Sequence, residues 1–254
     1  MRQPHTALTN DAPVRSVLAD STNRTGSRRR EGRDGPPANR KRCAVEQGNS
    51  ASTQIRMSCT GTLLSEKIVL TAAHCLYNFT RKQWIPANSI RFIAGYQRGE
   101  YEAVSDVDRY VLDPTHDPES REFKGEMDVD WALLILKDPI GKNARFVDLY
   151  LGGPGAIAGK KALLAGYPSL RHHVLSVARD CGKINYDMSY RVLVSSCSTM
   201  QGDSGAPIFV SDNGNLKLVG NFSSIVATLD PKSLFAVGVP VANFQHFLQL
   251  ELAK

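Results

Sequence analysis

The chain has 254 residues, long for one hydrophobic core but ordinary for two packed units. It carries 31 Lys+Arg against 25 Asp+Glu, a formal charge of +6, and no run of about 18 apolar residues, which excludes a membrane-spanning helix. Residues 1–42 hold 10 Lys+Arg and 4 Asp+Glu, leaving 21 of each for residues 43–254, so the balanced remainder excludes a nucleic-acid binder organised around a basic core.

In chain order, residues 1–42 come first. They are poor in apolar side chains and contain Arg28-Arg29-Arg30, Pro36-Pro37 and Arg40-Lys41-Arg42. Such a composition buries too little surface to offset its ordering entropy, so a mostly disordered basic tail or propeptide is expected. A nucleic acid is not the expected partner of this tail, and no apolar h-region near Met1 marks a signal peptide. Beyond the tail, short β-rich runs alternate with turn signals at 67–70, 90–93, 131–136, 161–165, 190–194, 207–210 and 216–219. That pattern predicts an all-β barrel protein and not βαβ units. Residues 137–155, rich in Gly and Pro, are expected to cross between two barrels. Phe244, Phe247, Leu248 and Leu250 within 241–250 have the spacing of an amphipathic C-terminal helix.

Three segments carry candidate chemistry: Thr71-Ala72-Ala73-His74-Cys75, Asp130-Trp131-Ala132-Leu133-Leu134 and Gly202-Asp203-Ser204-Gly205. A serine hydroxyl is a weak nucleophile at neutral pH and needs an imidazole to take its proton. A buried carboxylate then holds that imidazole in the right tautomer. Backbone N–H groups of Gly202 and Ser204 are the candidate oxyanion donors. Each residue also has a plainer reading. Gly, Asp and Ser are ordinary turn formers, His74 among small apolar neighbours reads as a core histidine, and on composition alone either Asp128 or Asp130 fits the carboxylate. His116, His172 and His173 lack Cys or acidic partners at metal-ligand spacing, so surface positions are expected for all three, with no metal and no cofactor.

Together with Cys59-Thr60-Gly61-Thr62-Leu63-Leu64, these ordered motifs resemble the trypsin-like (chymotrypsin-fold) serine proteases, especially the bacterial branch that includes glutamyl endopeptidases. The resemblance covers roughly residues 55–245. It implies two six-stranded antiparallel Greek-key β-barrels, at 43–150 (carrying His74 and Asp130) and 151–254 (carrying Ser204 and the C-terminal α-helix), with the active site in the cleft between them. It implies a serine endopeptidase acting on protein or peptide substrates through an acyl-enzyme. The family pattern of Asp, one apolar residue, then Ala-Leu-Leu selects Asp130 and leaves Asp128 as a solvated loop acid. It also implies disulfides Cys59–Cys75 and Cys181–Cys197, hence an oxidising compartment and a secreted or periplasmic protein. Cys43 is left over, and nothing calls for more than a monomer.

By the same resemblance Ser198, six residues before the nucleophile, lies on the floor of the specificity pocket, where trypsin-like enzymes carry Asp. Thr199 lies on its wall, and the strand through Phe222, Ser223 and Ile225 borders it, with Ser223 pairing with substrate backbone. Glutamyl endopeptidases usually have His where Phe222 stands, and Ile225 narrows the entrance. A neutral, small to medium apolar residue before the scissile bond is therefore expected. The chain lacks an Ile-Val-Gly-Gly segment whose freed ammonium would pair with Asp203. Either cleavage after Arg15, exposing Ser16-Val17-Leu18, or an internal partner is expected to serve Asp203. The competing expectation, a catalytically silent homologue acting as a binding module, sits poorly with a chain that retains all three candidate catalytic residues.

Overall fold

The computed structural model describes residues 14–20, 56–142, 146–227 and 234–254. The first unit comprises β1 (Val14–Asp20), β2 (Arg56–Leu63), β3 (Ile68–Thr71), a small hairpin of β4 (Tyr77–Asn78) and β5 (Gln83–Trp84), then β6 (Ile90–Ala94), β7 (Ala103–Leu112) and β8 (Ala132–Leu136). Six of these close an antiparallel barrel in the order β1-β2-β3-β8-β7-β6. Sequence explains the choice of strands. β3 reads Ile-Val-Leu-Thr and is buried throughout, whereas β6 alternates, with Ile90, Phe92 and Ala94 inward and Arg91 outward. Leu63, Val69, Phe92, Val107, Leu134 and Leu136 fill the barrel interior.

One expectation is overturned here. Residues 14–20 belong to the barrel and not to a tail, since β1 pairs with β2 from Val14↔Thr62 to Asp20↔Arg56 and with β6 from Ser16↔Ile93 to Ala19↔Ile90. Counting charge over 1–42 hid the short run Val14 to Leu18, because the basic residues crowd after it. The 35 residues 21–55, with eight Lys+Arg and three Asp+Glu, connect two adjacent paired strands. The Arg15–Ser16 peptide bond lies inside β1, near its start, so cleavage there would cut a barrel strand after its first two residues. Cys43 lies outside the described residues.

The second unit holds β9 (Asp148–Leu149), α1 (Gly153–Ile157), β10 (Ala162–Gly166), β11 (Ser176–Ala178), β12 (Asn185–Asp187), β13 (Val192–Ser195), β14 (Pro207–Asp212), β15 (Asn215–Ala227), β16 (Leu234–Pro240) and α2 (Val241–Leu252). The sheet runs β11-β10-β14-β15-β16-β13-β12, with β9 added in parallel to β15. A bridge between Lys161 and Lys183 returns the β12 side to the start of β10, so the sheet curls into a barrel. It has eight strands, the two-residue β9 among them, where the resemblance implied six. α2 matches the predicted C-terminal helix and turns Val241, Phe244 and Leu248 inward.

The two barrels share a core. Leu64, Ile68, Leu70, Trp131 and Leu133 of the first pack with Ala165, Phe209, Leu218 and Val239 of the second and with Phe244 and Leu248 of α2. Burying a side chain of this size contributes about 1.5–3 kcal/mol, so the barrels are held at a fixed mutual angle. α2 is also fastened from the first barrel by an Arg109–Glu251 ion pair.

Removing residues 1–42 should take β1 out of the barrel, expose the edges of β2 and β6, and abolish cooperative unfolding. Replacing residues 22–54 by a short turn should instead keep the fold and stabilise it by at most about 2 kcal/mol through the shorter loop closure. Circular-dichroism melts of the two deletions check both outcomes.

Candidate active site

β3 pairs with β8 through Thr71↔Ala132, which brings the segment after Thr71 beside the segment before Ala132. The first is a 3₁₀ turn, Ala73–Leu76, that carries His74; the second is another, Met127–Val129, with Asp130 at its C-cap. His74 Nδ1 donates to Asp130 Oδ2 at 2.7 Å, and the His74 backbone N–H donates to Asp130 Oδ1 at 2.8 Å. Ser223 Oγ adds a third donor to Oδ2 at 2.5 Å, while Asn221 Nδ2 reaches the Asp130 carbonyl at 3.3 Å. Ser223 reaches Asp130 because β15 bulges there. Phe222 pairs with Gly238 and Ser224 with Val237, so Ser223 is the extra residue and its hydroxyl turns inward.

Asp130 is 5% exposed. Burial pushes its pKa up, but the His74 charge and the bonds from His74 and Ser223 outweigh this and hold the carboxyl below its usual range. For His74, burial lowers the pKa, and the charge and hydrogen bond of Asp130 more than compensate, leaving the imidazole raised. The stability that Asp130 lends is present at neutral pH and lost as pH falls through its depressed value. That of His74 is present below its ordinary value and lost as pH rises through its raised one.

Ser204 sits half-buried on the loop between β13 and β14. Its carbonyl accepts from Thr60 N–H at 2.8 Å, across the barrel boundary. Thr60 is buried and binds twice more: its Oγ1 donates to the Gly202 carbonyl at 2.9 Å and accepts from Tyr167 N–H at 3.0 Å. Two glycines make this close approach possible. Gly202 and Gly205 have φ of +97° and +79°, and a Cβ would run into the Tyr167 carbonyl at the first and into Thr60 and Thr71 at the second. The same Gly205 position abuts the Ala72 amide, two residues before His74, so the Ser204 loop lies beside the segment that leads into the His74 turn. Among the described residues, neither the Gly202 nor the Ser204 N–H donates to a protein group.

Asp203, next to Ser204, is 4% exposed. Burial pushes its carboxyl up to about 6, opposed by the Met200 N–H it accepts at 3.1 Å. That amide is the internal partner of Asp203 among the described residues, and no cation touches the carboxyl there.

The remaining predicted residues divide. Ser198 and Ile225 are exposed, Thr199 is half-buried, and Phe222 is buried with Cys181, Cys197, Ala206 and Ile208 in the second core. The expected disulfides Cys59–Cys75 and Cys181–Cys197 are both present. His172 and His173 are exposed as expected. His116 is not: it is 4% exposed, stacked on Phe123, edge-on to Trp84, with Nε2 on the Val129 carbonyl at 3.2 Å. An aromatic cluster took in a side chain that its polar sequence neighbours had placed outside. Asp128 likewise is buried and paired with Arg191, not solvated. The sulfurs of Cys59 and Cys75 lie near His74, but their bond to each other leaves no thiolate for a metal. Sequence reasoning missed the parts played by Thr60, Asn221 and Asp128. Asn221, a lone amide in an apolar strand, was the one visible signal.

The chain matches the Trypsin family over residues 32–248. It belongs to that family. Serine protease 23 of Homo sapiens is 30% identical over 198 residues, covering 68% of this chain and 50% of that protein. Glutamyl endopeptidase of Bacillus licheniformis is 24% identical over 174 residues, covering 67% of this chain and 51% of that one. The chain thus spans about half the length of these relatives. Among solved structures, the thermostable serine protease AL20 superimposes with a TM-score of 0.60 at 17% identity over 93% of this chain and 95% of that one. A Glu endopeptidase does so at 0.59 and 17%, over 78% and 86%. At these identities the likeness speaks for the trypsin-family fold.

In Asp130→Asn the charge that raises His74 is gone while its burial remains, so the imidazole pKa should fall below the ordinary 6.5. An NMR titration of the His74 ring reads this directly, and an unchanged value would contradict it. The Asp203 carboxyl titrates above its unfolded 3.8, so the native state binds the proton more tightly and stability falls as pH rises from 3.8 to about 6. Asp203→Asn escapes that loss. Its melting temperature should exceed that of the parent by a margin that widens between pH 4.5 and pH 7.5, as followed by calorimetry.

Proposed function

We propose that this chain is a serine endopeptidase in which Ser204 is the nucleophile, His74 the general base and acid, and Asp130 the orienting carboxylate. The observation that carries this is the buried His74–Asp130–Ser223 hydrogen-bond chain, close in the fold to the Ser204 loop with its two undonated N–H groups through the Gly205–Ala72 approach. Asp130 accepts from Nδ1, which fixes the tautomer with Nε2 free to take a proton.

The reaction follows from these groups. As Ser204 Oγ attacks the substrate carbonyl, His74 Nε2 takes its proton, and the oxygen that becomes negative meets the Gly202 and Ser204 N–H groups. Each such donor is worth about 3–4 kcal/mol in the transition state. His74 then protonates the departing amine, leaving an acyl-Ser204 ester. A water molecule, deprotonated by the same imidazole, releases the acid.

Specificity follows from the family resemblance, which assigns the pocket to Ser198 and Phe222. Ser198 offers no charge to a Lys or Arg side chain, and Phe222 is apolar where glutamyl endopeptidases usually have His. A neutral, small to medium apolar side chain suits these residues. The substrate is a protein or peptide, and the two disulfides suit an extracytoplasmic, oxidising compartment.

Reaction with a fluorophosphonate probe tests the nucleophile: labelling of the parent that disappears in Ser204→Ala is expected. No labelling of either form would favour a silent homologue. Profiling on a peptide library should show cleavage mainly after residues such as Ala, Val or Leu, and cleavage mainly after Glu or Arg would refute the pocket reading.

A further inference from the structure

The turn that carries Asp130 is gripped from the opposite side by groups with no part in the chemistry above. Asp128, two residues before Asp130 and buried, forms an ion pair with the Arg191 guanidinium through Oδ2. Arg191 lies in the turn between β12 and β13, on the second barrel. Asn243, in the first turn of α2, donates from Nδ2 to the Asp128 carbonyl at 2.7 Å and reaches the Arg191 carbonyl at 3.4 Å. Three segments distant in sequence therefore meet at Asp128. β16 also packs directly against the Met127–Val129 turn.

The backbone at Arg191 is unusual. Its φ is +52°, a left-handed conformation that an arginine adopts only when its surroundings impose it. Ser189 and Tyr190 amides, both bonded to Asp187 Oδ1 at 2.9 and 3.1 Å, hold the turn in that shape. The conformation brings the guanidinium back over the first barrel. Its side chain is 66% exposed while that of Asp128 is 11% exposed. The guanidinium is thus open to solvent on its outer side, while the buried Asp128 carboxylate relies on it as its charge partner.

We propose that Arg191 is a positioning residue for Asp130: by clamping Asp128, it fixes the Met127–Val129 turn to the second barrel and sets the angle at which Asp130 meets His74. The inference rests on the serine-endopeptidase reading and extends it. Ser223 and Asn221 hold Asp130 from β15, and Arg191 with Asn243 holds its turn from the other side. All four anchors belong to the second unit, so the acid is aligned with the barrel that carries Ser204 although it belongs to the barrel that carries His74.

The test uses the full chain with Arg191→Gly, Arg191→Lys, Asp128→Asn and the Arg191→Gly/Asp128→Asn double variant. Glycine accepts the left-handed φ more readily than arginine does, so Arg191→Gly removes the guanidinium without straining the turn. Expected for Arg191→Gly, assayed well below its melting transition, are a lowered melting temperature because Asp128 loses its partner, an unchanged KM and a kcat lower by about 10- to 100-fold, the scale of a small misplacement of a catalytic group. The His74 imidazole pKa should also fall toward its ordinary value, because Asp130 is the ionisable group that touches it among the described residues. Arg191→Lys should recover most of the activity, Asp128→Asn should match Arg191→Gly, and the double variant should be no worse than either. Parental kcat and His74 pKa in Arg191→Gly would overturn the inference alone. A fall in activity that merely tracks the melting temperature would do the same. A parent chain unreactive toward fluorophosphonate would overturn the endopeptidase reading and the inference together.

Discussion

A single negative charge buried at the junction of the two barrels places the strongest demand on this fold. An ionised carboxylate removed from water costs several kcal/mol unless it is paired and fully hydrogen-bonded, and Asp130 is 5% exposed. Its oxygens take three donors, from the His74 ring, the His74 backbone and Ser223. Supplying them requires β3 and β8 to be in register, a bulge in β15 at Ser223, and both barrels to be present. The catalytic geometry and the barrel interface are one problem with one solution. Removing any of these donors leaves the charge partly uncompensated, which is why the site tolerates little relaxation.

Thr60 solves the complementary problem on the Ser204 side. Its backbone N–H, its hydroxyl hydrogen and its hydroxyl lone pair each engage a different part of the second barrel: the Ser204 carbonyl, the Gly202 carbonyl and the Tyr167 amide. Thr60 adjoins Cys59, which is bonded to Cys75, which adjoins His74. The loop that presents Ser204 is thus referenced to the turn that presents His74 through a short path of covalent and hydrogen bonds. Gly202 and Gly205 are required because the two backbones come too close for a side chain.

How much of this could be read from the sequence depends on the range of the interaction concerned. The motifs around His74, Asp130 and Ser204 and the C-terminal helix were legible because each is a local pattern, and the disulfide pairs were legible through the family resemblance that those motifs carry. β1 was not, since five residues of strand-forming sequence were outweighed by the basic stretch that follows Asp20. Asp128 and His116 were misjudged for a related reason. Neither has a local signal for burial, which was decided by Arg191 in one case and by Trp84 and Phe123 in the other, all remote or loop-borne. The bulge at Ser223 has no sequence signal at all, because it arises from a mismatch between two strands.

The two buried aspartates beside the cleft show how environment divides identical side chains. Asp130 meets a histidine and several donors and is held ionised; Asp203 meets one amide and is pushed up to about 6. The first must stay charged, since a neutral carboxyl would release the imidazole from its tautomer. The second stands next to Ser204, and an added Cβ at Gly166 would strike its Oδ1, so little space is left to solvate it. A charge there destabilises the loop that must present the Gly202 and Ser204 amides, while a proton relieves it. Order in the oxyanion loop is therefore tied to what faces Asp203. Order in the base is tied to Asp130, and near neutral pH the two requirements pull the same residue type in opposite directions.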